Sequence, residues 1–331
     1  MQRRIVLAAA LLATSSLAVP SVAGAQASGR YPDRPIRLIL PFSAGGPTDT
    51  LGRVFAEQIS KQMGARVVVE NRTGAGSTIG ADAVAKAAPD GYTLLFTNLS
   101  HSINPSLYRH IPYDTVADFV PVSVLMEGPV VVLVGANSPY RSLKNLVDAV
   151  RAKPDHYDYG SAGNGSAAHV SMVQILARTG ARMNHIVYRG VANAMTDLLS
   201  GTIASVNDTS TTALGSIRGG LVRPLAVTSP TRVPFLPDLP TVRESSIPEL
   251  ADFQMSTWNM LLAPAGTPQP IVDRLHREVQ AAMRDQPFVA KLAELGNVPM
   301  PEADLAGTRA FLVSEMERWR DVMQQAGIRP E

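Results

Sequence analysis

The sequence predicts an α/β fold in two halves, each a mostly parallel sheet flanked by helices. Three observations carry this. Strand-like and helix-like patterns alternate along the chain, the signature of parallel sheets joined by crossover helices. A strand that runs into a glycine-rich loop and then a helix occurs twice, once in each half. Phe119 to Val134 is almost continuously strand-like, broken only by Gly128-Pro129, which suits a segment leaving one domain and entering another. A length of 331 residues agrees with about two domains at roughly 100–200 residues each.

The elements follow in order. Met1-Gln2-Arg3-Arg4 is a short basic start, Ile5 to Leu12 is apolar, and Ala23-Gly24-Ala25 is a small-x-small site. Together they predict a secretory signal peptide over residues 1–25, cleaved after Ala25. The run contains Thr14, Ser15 and Ser16 and is too short for the ~20 apolar residues of a membrane span. Arg37 to Phe42 reads as a buried strand, and Leu51, Val54, Phe55, Ile59 and Met63 form one apolar helical stripe after it. A strand at Arg66–Glu70, a helix at Ile79–Ala87 and a strand at Tyr92–Thr97 complete the first series. The second has helices at Leu143–Lys153, Ala168–Arg178 and Ala192–Ser200, with strands at Tyr157–Gly160, His185–Tyr188 and Val222–Thr228. A proline-punctuated stretch, Pro230 to Pro248, leads to a strand at Gln254–Leu262 and helices that include Pro270–Arg284 and Thr308–Ala326.

Composition narrows the function. The absence of cysteine excludes a disulfide scaffold, a thiolate metal site and a cysteine nucleophile. Loss of Arg3 and Arg4 with the signal leaves 28 basic residues against 28 acidic ones, so no nucleic-acid partner is expected. No two of the six histidines are spaced as helical metal ligands, and neither His-Glu-x-x-His nor Gly-x-Ser-x-Gly occurs. No metal, cofactor or catalytic residue is therefore expected.

The repeated loop is the informative motif. Phe42 leads into Ser43-Ala44-Gly45-Gly46-Pro47-Thr48-Asp49, and Tyr159 into Gly160-Ser161-Ala162-Gly163-Asn164-Gly165-Ser166. Glycines let the backbone turn sharply and approach a ligand. The helix that follows offers unpaired amides and the positive end of its dipole, which together favour an anion. Ser43, Thr48, Ser161 and Ser166 can add donors or cap those helices. Neither loop contains Lys or Arg and no Walker lysine follows, so the pattern favours a carboxylate over a polyphosphate. Ordinary strand-to-helix turns are the alternative reading. His169, just inside the second helix, either donates to an anion or packs. Gly74-Ala75-Gly76-Ser77-Thr78-Ile79-Gly80 is one residue too long for a dinucleotide fingerprint and reads as a tight entry to a helix near Ile79. Trp258 and Trp319 read as core or inter-domain packing.

These residues resemble the periplasmic receptors of tripartite tricarboxylate transporters, the Bug or TctC-like family. The resemblance runs from Tyr31 nearly to the C-terminus, through Tyr31-Pro-Asp-Arg-Pro-Ile36, Pro41 to Asp49, Glu70-Asn-Arg-Thr-Gly-Ala-Gly76, Ala88 to Leu95, Asn104-Pro-Ser-Leu-Tyr108, Tyr113-Asp114, Asp118-Phe119, Tyr159-Gly-Ser161 with Gly165-Ser166 and His169, Leu225 to Ser229, Leu239-Pro-Thr-Val242 and Ala263 to Pro268. Two departures touch specificity: Arg189 stands where members often carry Lys, and Ser77 where another Gly is frequent.

The resemblance implies a two-lobed type II periplasmic-binding-protein fold with the ligand in a cleft between lobes. Lobe 1 is expected over residues 26–126 and 255–331, lobe 2 over 127–254, with hinge strands near Leu125–Val130 and Gln254–Trp258. It implies a carboxylate held by Phe42, Ser43, Ala44, Gly45, Gly46, Thr48 and Asp49 and by Ser161, Ala162, Gly163, Gly165, Ser166 and His169. Asn98 and Ser100 from a third strand-end loop, and Tyr188 and Asp208 from the second lobe, are added as expected contacts, Asp208 for the far end of the ligand. The expected protein is a monomeric periplasmic receptor that passes a small carboxylate to the membrane subunits of a secondary transporter. The competing expectations are an exported hydrolase or lyase using His169 with Ser161 or Ser166, and a subunit that presents its ligand to a sensor.

Overall fold

β1 (Ile36–Leu40) is buried at every position except Arg37 and runs into α1 (Pro47–Met63). Pro47 suits the first helical turn because its missing N–H would be unpaired there anyway. Asp49 and Lys61 complement the two ends of the helix dipole, and Gly64, at φ 63°, closes the helix. Leu51, Phe55 and Ile59 turn one face onto the sheet. The computed structural model describes residues 31–300, 302–328 and 330, and the expected signal peptide with its cleavage site lies outside them. From Pro32 onward the chain is one compact unit.

β2 (Val67–Asn71) and β3 (Thr93–Asn98) flank β1 in parallel, with Leu38 opposite Val69 on one side and Leu94 on the other. α2 (Thr78–Ala85) crosses between them and is entered through a turn in which Gly74, Ala75, Gly76 and Ser77 all have positive φ. At Gly76 a side chain would strike the Tyr108 ring, its Cβ falling 2.3 Å from Oη. α3 (Ser100–Leu107) follows β3 directly.

β4 (Phe119–Gly135) is the spine of the molecule. The second series is α4 (Leu143–Ala152), β5 (Asp158–Ser161), α5 (Ala167–Thr179), β6 (Asn184–Val187), α6 (Val191–Ser200), β7 (Ser205–Thr209), α7 (Ser210–Arg218) and β8 (Val222–Val227). The chain closes with β9 (Ser256–Pro264), α8 (Gln269–Arg284), α9 (Gln286–Glu294), β10 (Val298–Pro299) and α10 (Leu305–Gln325). The strand order is β2-β1-β3-β9-β4-β7-β5-β6, with β8 and β10 also paired to β4. β4 changes partners midway. Phe119 to Pro129 lies antiparallel to β9, whereas Val130 to Gly135 lies antiparallel to β7 and β8. The chain crosses back at Met255, whose amide donates to Thr228 O beside this change.

The larger apolar core runs through both halves, and a smaller one lies in the second. Val131, Leu133, Val206, Val222 and Val227 pack with Ala194, Leu198 and Ala213 of α6 and α7. In the first half α10 lies against α3 and β4, and Trp319 is fully buried. The Nε1–H groups of Trp258 and Trp319 both donate to Glu315 Oε2, at 2.8 and 3.2 Å, so both indoles are core residues with satisfied polar edges.

Candidate functional site

The C-terminal ends of parallel strands leave helix N-termini and loops facing one way, and open α/β sheets bind ligands there. In this molecule the ends of β1, β3 and β5 carry the three loops singled out from the sequence.

The loop after β1 is shaped by one acid. Asp49 Oδ2 accepts the Gly45 amide at 2.9 Å, and Oδ1 accepts Asn71 Nδ2 at 2.8 Å. Arg53 Nε donates to both oxygens from one helical turn on, and Asn71 Nδ2 also donates to Phe42 O at 2.9 Å. Burial by itself would raise the Asp49 carboxyl, but Arg53, the Gly45 amide and Asn71 outweigh it and hold the group below the ordinary aspartate range. Asp49 is 4 % exposed with both oxygens engaged. Its carboxylate is the clasp that fixes the loop, which leaves its amide for the expected ligand contact. Gly46 N donates to Ser43 O, which leaves Ser43, Ala44 and Gly45 exposed at the tip.

Thr48 connects this loop to the next. Asn98 Nδ2 donates to Thr48 Oγ1 at 2.9 Å, and Asn98 Oδ1 accepts the Ser100 amide at 2.9 Å. Ser100 Oγ then donates to Gly165 O at 3.1 Å. This last bond joins the first half to the loop after β5 in the second half. A Cβ at Gly165 would fall 2.6 Å from Leu107 Cδ1, so a larger residue would have to push the end of that side chain aside where the loop lies against α3.

The loop after β5 is held by neutral groups. Ser166 Oγ caps α5 by accepting the His169 amide at 3.3 Å, and the Ser166 amide returns to Gly163 O. The Gly165 amide donates to His169 Nδ1 at 3.2 Å, so the His169 proton is on Nε2. The His169 ring stacks on His185 with centroids 4.2 Å apart, and His185 stacks on Tyr159 at 4.8 Å. Ser161 Oγ is 2.6 Å from His185 Nε2. Burial, with a smaller contribution from His185, drives His169 down to about 3, and burial drives His185 down to about 4. Both rings are neutral at physiological pH. Ala162, Gly163 and Asn164 form the half-exposed tip.

The resulting surface has no cation in either loop. The early amides of α1 at Thr48 and Asp49, and of α5 at Ala167 and Ala168, have no protein acceptor among the described residues. Neutral amides and hydroxyls converging from both halves suit a small anion with a localised charge, such as a carboxylate.

Two expected contacts are placed differently from the loops. Tyr188 turns its ring toward α6, where its hydroxyl donates to Asp197 Oδ2 at 2.6 Å and is pushed up to about 12 by burial and that acid. Its side chain is thus committed to packing, and only its amide, bonded to Ser161 O at 3.0 Å, supports the loop. Asp208, next to last in β7, is 4 % exposed; its Oδ1 accepts the Thr209 amide at 2.8 Å and Thr212 Oγ1 at 2.7 Å. Two residues that complete the loops escaped sequence reading. Asn71 bears no local signal, whereas His185 could have been found by its alternation with Tyr159 on paired strands. Among the described residues no cluster of His, Asp and Glu could hold a metal ion.

Known proteins place this geometry. The profile of the tripartite tricarboxylate transporter family receptor, TctC, matches residues 51–328. Protein BugT of Bordetella pertussis is 36% identical over 331 residues, covering 99% of each chain. A UPF0065 protein encoded in the tcbD-tcbE intergenic region of a Pseudomonas species is 36% identical over 326 residues, covering 97% of this chain and 94% of its own. Among solved structures, the periplasmic binding protein BugD superposes with a TM-score of 0.84 at 35% identity, over 91% of this chain and 100% of that one. Rpa4515 of R. palustris, solved with adipate, gives 0.86 at 32% identity with the same coverage. MatC of Rhodopseudomonas palustris, with bound malate, gives 0.81 at 32% identity over 88% and 99%. The fold is therefore the two-lobed one of these periplasmic binding proteins, and the chain belongs to the tripartite tricarboxylate transporter receptor family.

Proposed function

We propose that this solute-binding receptor captures a small carboxylate between two lobes and hands it to the membrane subunits of a secondary transporter. The observation that carries the reading is the chain Thr48–Asn98–Ser100–Gly165, which brings cation-free loops from both halves together. A carboxylate gripped there would contact both halves at once, and so would stabilise the closed form over an open one. The change of partners at Pro129–Val130 and the return at Met255 support lobes divided near residues 126 and 254, with rotation about those crossings. Bound adipate in Rpa4515 and malate in MatC support a carboxylate as the ligand class.

Binding without turnover fits the serine chemistry. Ser161 is fully buried, and no carboxylate hydrogen-bonds His185 among the described residues, so the pair lacks both access and an orienting group. Export by a cleaved signal peptide and action as a periplasmic monomer complete the proposal; no helix among the described residues is long and apolar enough to cross a membrane.

A thermal-shift screen of the purified protein against mono- and dicarboxylates, amino acids and aromatic acids tests the reading. Ligand at about a hundred times its Kd adds roughly 2.7 kcal/mol, a shift of several degrees at this size. The reading expects such a shift with at least one acid that is recovered chemically unchanged. No shift with any acid, or conversion of the acid to product, refutes it.

A further inference from the structure

The proposed carboxylate reading leaves the far end of the ligand open, and one buried group outside the loops bears on it. β7 runs parallel to β5, with Val206 beside Gly160. Asp208 lies two residues beyond Val206, toward the end at which β5 runs into the second loop. On its other side it pairs with Val131, just past the point where β4 crosses between the halves. The adjacent residues Ser210 and Thr211 already touch the first half, through Ser210 Oγ to Gly296 O at 2.7 Å and Asn297 Nδ2 to Thr211 Oγ1 at 2.8 Å. Asp208 thus stands in the sheet between the strand that feeds the second loop and the crossover of β4.

Its hydrogen bonding is half complete. Oδ1 has the Thr209 amide and the Thr212 hydroxyl, whereas Oδ2 has no protein donor among the described residues. No Lys, Arg or His pairs with Asp208 among those residues, although it is 4 % exposed. Oδ2 is not among the buried unpaired atoms of the described residues, so a donor carried by a ligand can reach it. Burial, only partly offset by Thr212 and the Thr209 amide, raises the group to about 7, as expected for an acid lacking a cation.

We infer that Asp208 Oδ2 reads the far end of the ligand, selecting acids that carry a hydrogen-bond donor there, a hydroxyl or an ammonium, over those ending in a methyl or a second carboxylate. With Asp208 ionised, as it is at about pH 8.5 where the titration below is run, a second carboxylate meets it as acceptor against acceptor, and a methyl leaves Oδ2 bare. Either donor satisfies it. This inference rests on the carboxylate reading above and is narrower than it.

The test is calorimetric titration of the purified protein, at about pH 8.5, with straight-chain acids that share one carboxylate and differ only at the last carbon: methyl, hydroxyl, ammonium or carboxylate, at several chain lengths. A donor-ended acid is expected to bind roughly ten- to a hundredfold more tightly than its methyl- or carboxylate-ended counterpart. Asp208→Ala should collapse that ratio toward one. Asp208→Asn, nearly isosteric and so less exposed to folding failure, keeps an acceptor for a hydroxyl but loses the charge an ammonium needs. It therefore tells the two donors apart, with folding checked by the melting transition. Equal or tighter binding of the methyl- or carboxylate-ended acids, or an unchanged ratio in Asp208→Ala, overturns this inference and leaves the carboxylate reading standing. Failure of every acid to bind overturns both.

Discussion

The two loops proposed to hold the ligand have the same plan, a parallel strand, a glycine turn and a helix, yet opposite electrostatics hold them in shape. After β1 the clasp is an ionised acid, Asp49, gripped by Arg53, Asn71 and the Gly45 amide. After β5 it is a stack of neutral rings, His169 on His185 on Tyr159, with Ser161 and Ser166 closing the turn. Both arrangements leave the front of the loop to amides and hydroxyls. The comparison teaches that an anion site is defined by what faces the ligand, while the scaffold behind it is free to be charged or neutral so long as each buried polar group is paired.

The largest break in this comparison comes from removing the charged clasp. Asp49→Ala leaves the Gly45 amide, Asn71 and Arg53 without their common acceptor. It should cost about 3 kcal/mol, toward the lower end for a broken buried pair because half of the Arg53 side chain is exposed. Urea unfolding of the two proteins measures it, and a loss under ~1 kcal/mol would mean that the loop holds its shape without the acid.

Acid separates the loops next. A buried imidazole whose folded pKa lies below 6.5 makes the unfolded chain the better proton binder between the two values. Its stabilising contribution is therefore complete above pH 6.5 and drains away as pH falls toward about 4 for His185 and about 3 for His169. At ~1.4 kcal/mol per pH unit, the gap for His185 alone corresponds to a loss on the order of 3 kcal/mol by pH 4, and a second proton on the stacked rings is resisted further. Asp49 behaves differently. Its pKa is lowered from 3.8, so its contribution is full above about pH 4 and is lost only below that. Elsewhere His101, at about 4, adds to the acid loss, while Asp208, raised to about 7, opposes it by favouring the folded state below that pH. Amide exchange followed from pH 7 to 4.5 should show the Gly165 and His169 amides losing protection while the Gly45 amide keeps it. Parallel loss in both loops would remove the distinction.

Glycine substitutions sharpen the contrast at smaller cost. Gly45 has φ 78° and open space where a Cβ would stand, so Gly45→Ala should cost only the backbone term of about 1 kcal/mol. Gly165 has a similar φ of 73°, but its Cβ would meet Leu107 Cδ1 at 2.6 Å. Gly165→Ala adds overpacking to the backbone strain and should cost ~2–3 kcal/mol. Equal melting temperatures for the two variants would contradict the close approach of this loop to α3.

Much of this plan was legible in the sequence because it rests on periodicity and glycine. The α1 stripe of Leu51, Phe55 and Ile59 and the strand–loop–helix repeat are local patterns, and the change of partners in β4 falls at the Gly128-Pro129 interruption. β7 was not legible. Ser205-Val-Asn-Asp-Thr209 is buried throughout, yet it reads as a polar loop because four of its five residues are polar, and the partner that holds the Asn207 amide, Ser171, is thirty-six residues away. α3 was hidden for a related reason: it is short, contains Pro105, and buries polar His101, Ser102 and Asn104 where a periodic apolar stripe would be expected. The loop residues could be singled out, but which of them face a ligand could not. Asp49, an evident candidate by charge, is turned inward by Asn71, a partner twenty-two residues on.

The smallest expected effect tests the bond that makes the two loops one site. Ser100→Ala removes the hydroxyl that donates to Gly165 O, a buried contact between halves, and leaves the Asn98–Thr48 bond in place. A single neutral hydrogen bond is worth about 1 kcal/mol, so unfolding should shift only slightly. Its consequence for the ligand is expected to be larger in kind than in size. The bond exists only while the loops are together, so its loss weakens the closed arrangement without altering either loop's donors. Affinity for a bound acid should fall about fivefold, through faster release, while the order of preference among acids stays the same. A reordered preference would mean that Ser100 touches the ligand itself, and an unchanged release rate would mean that closure does not depend on this contact.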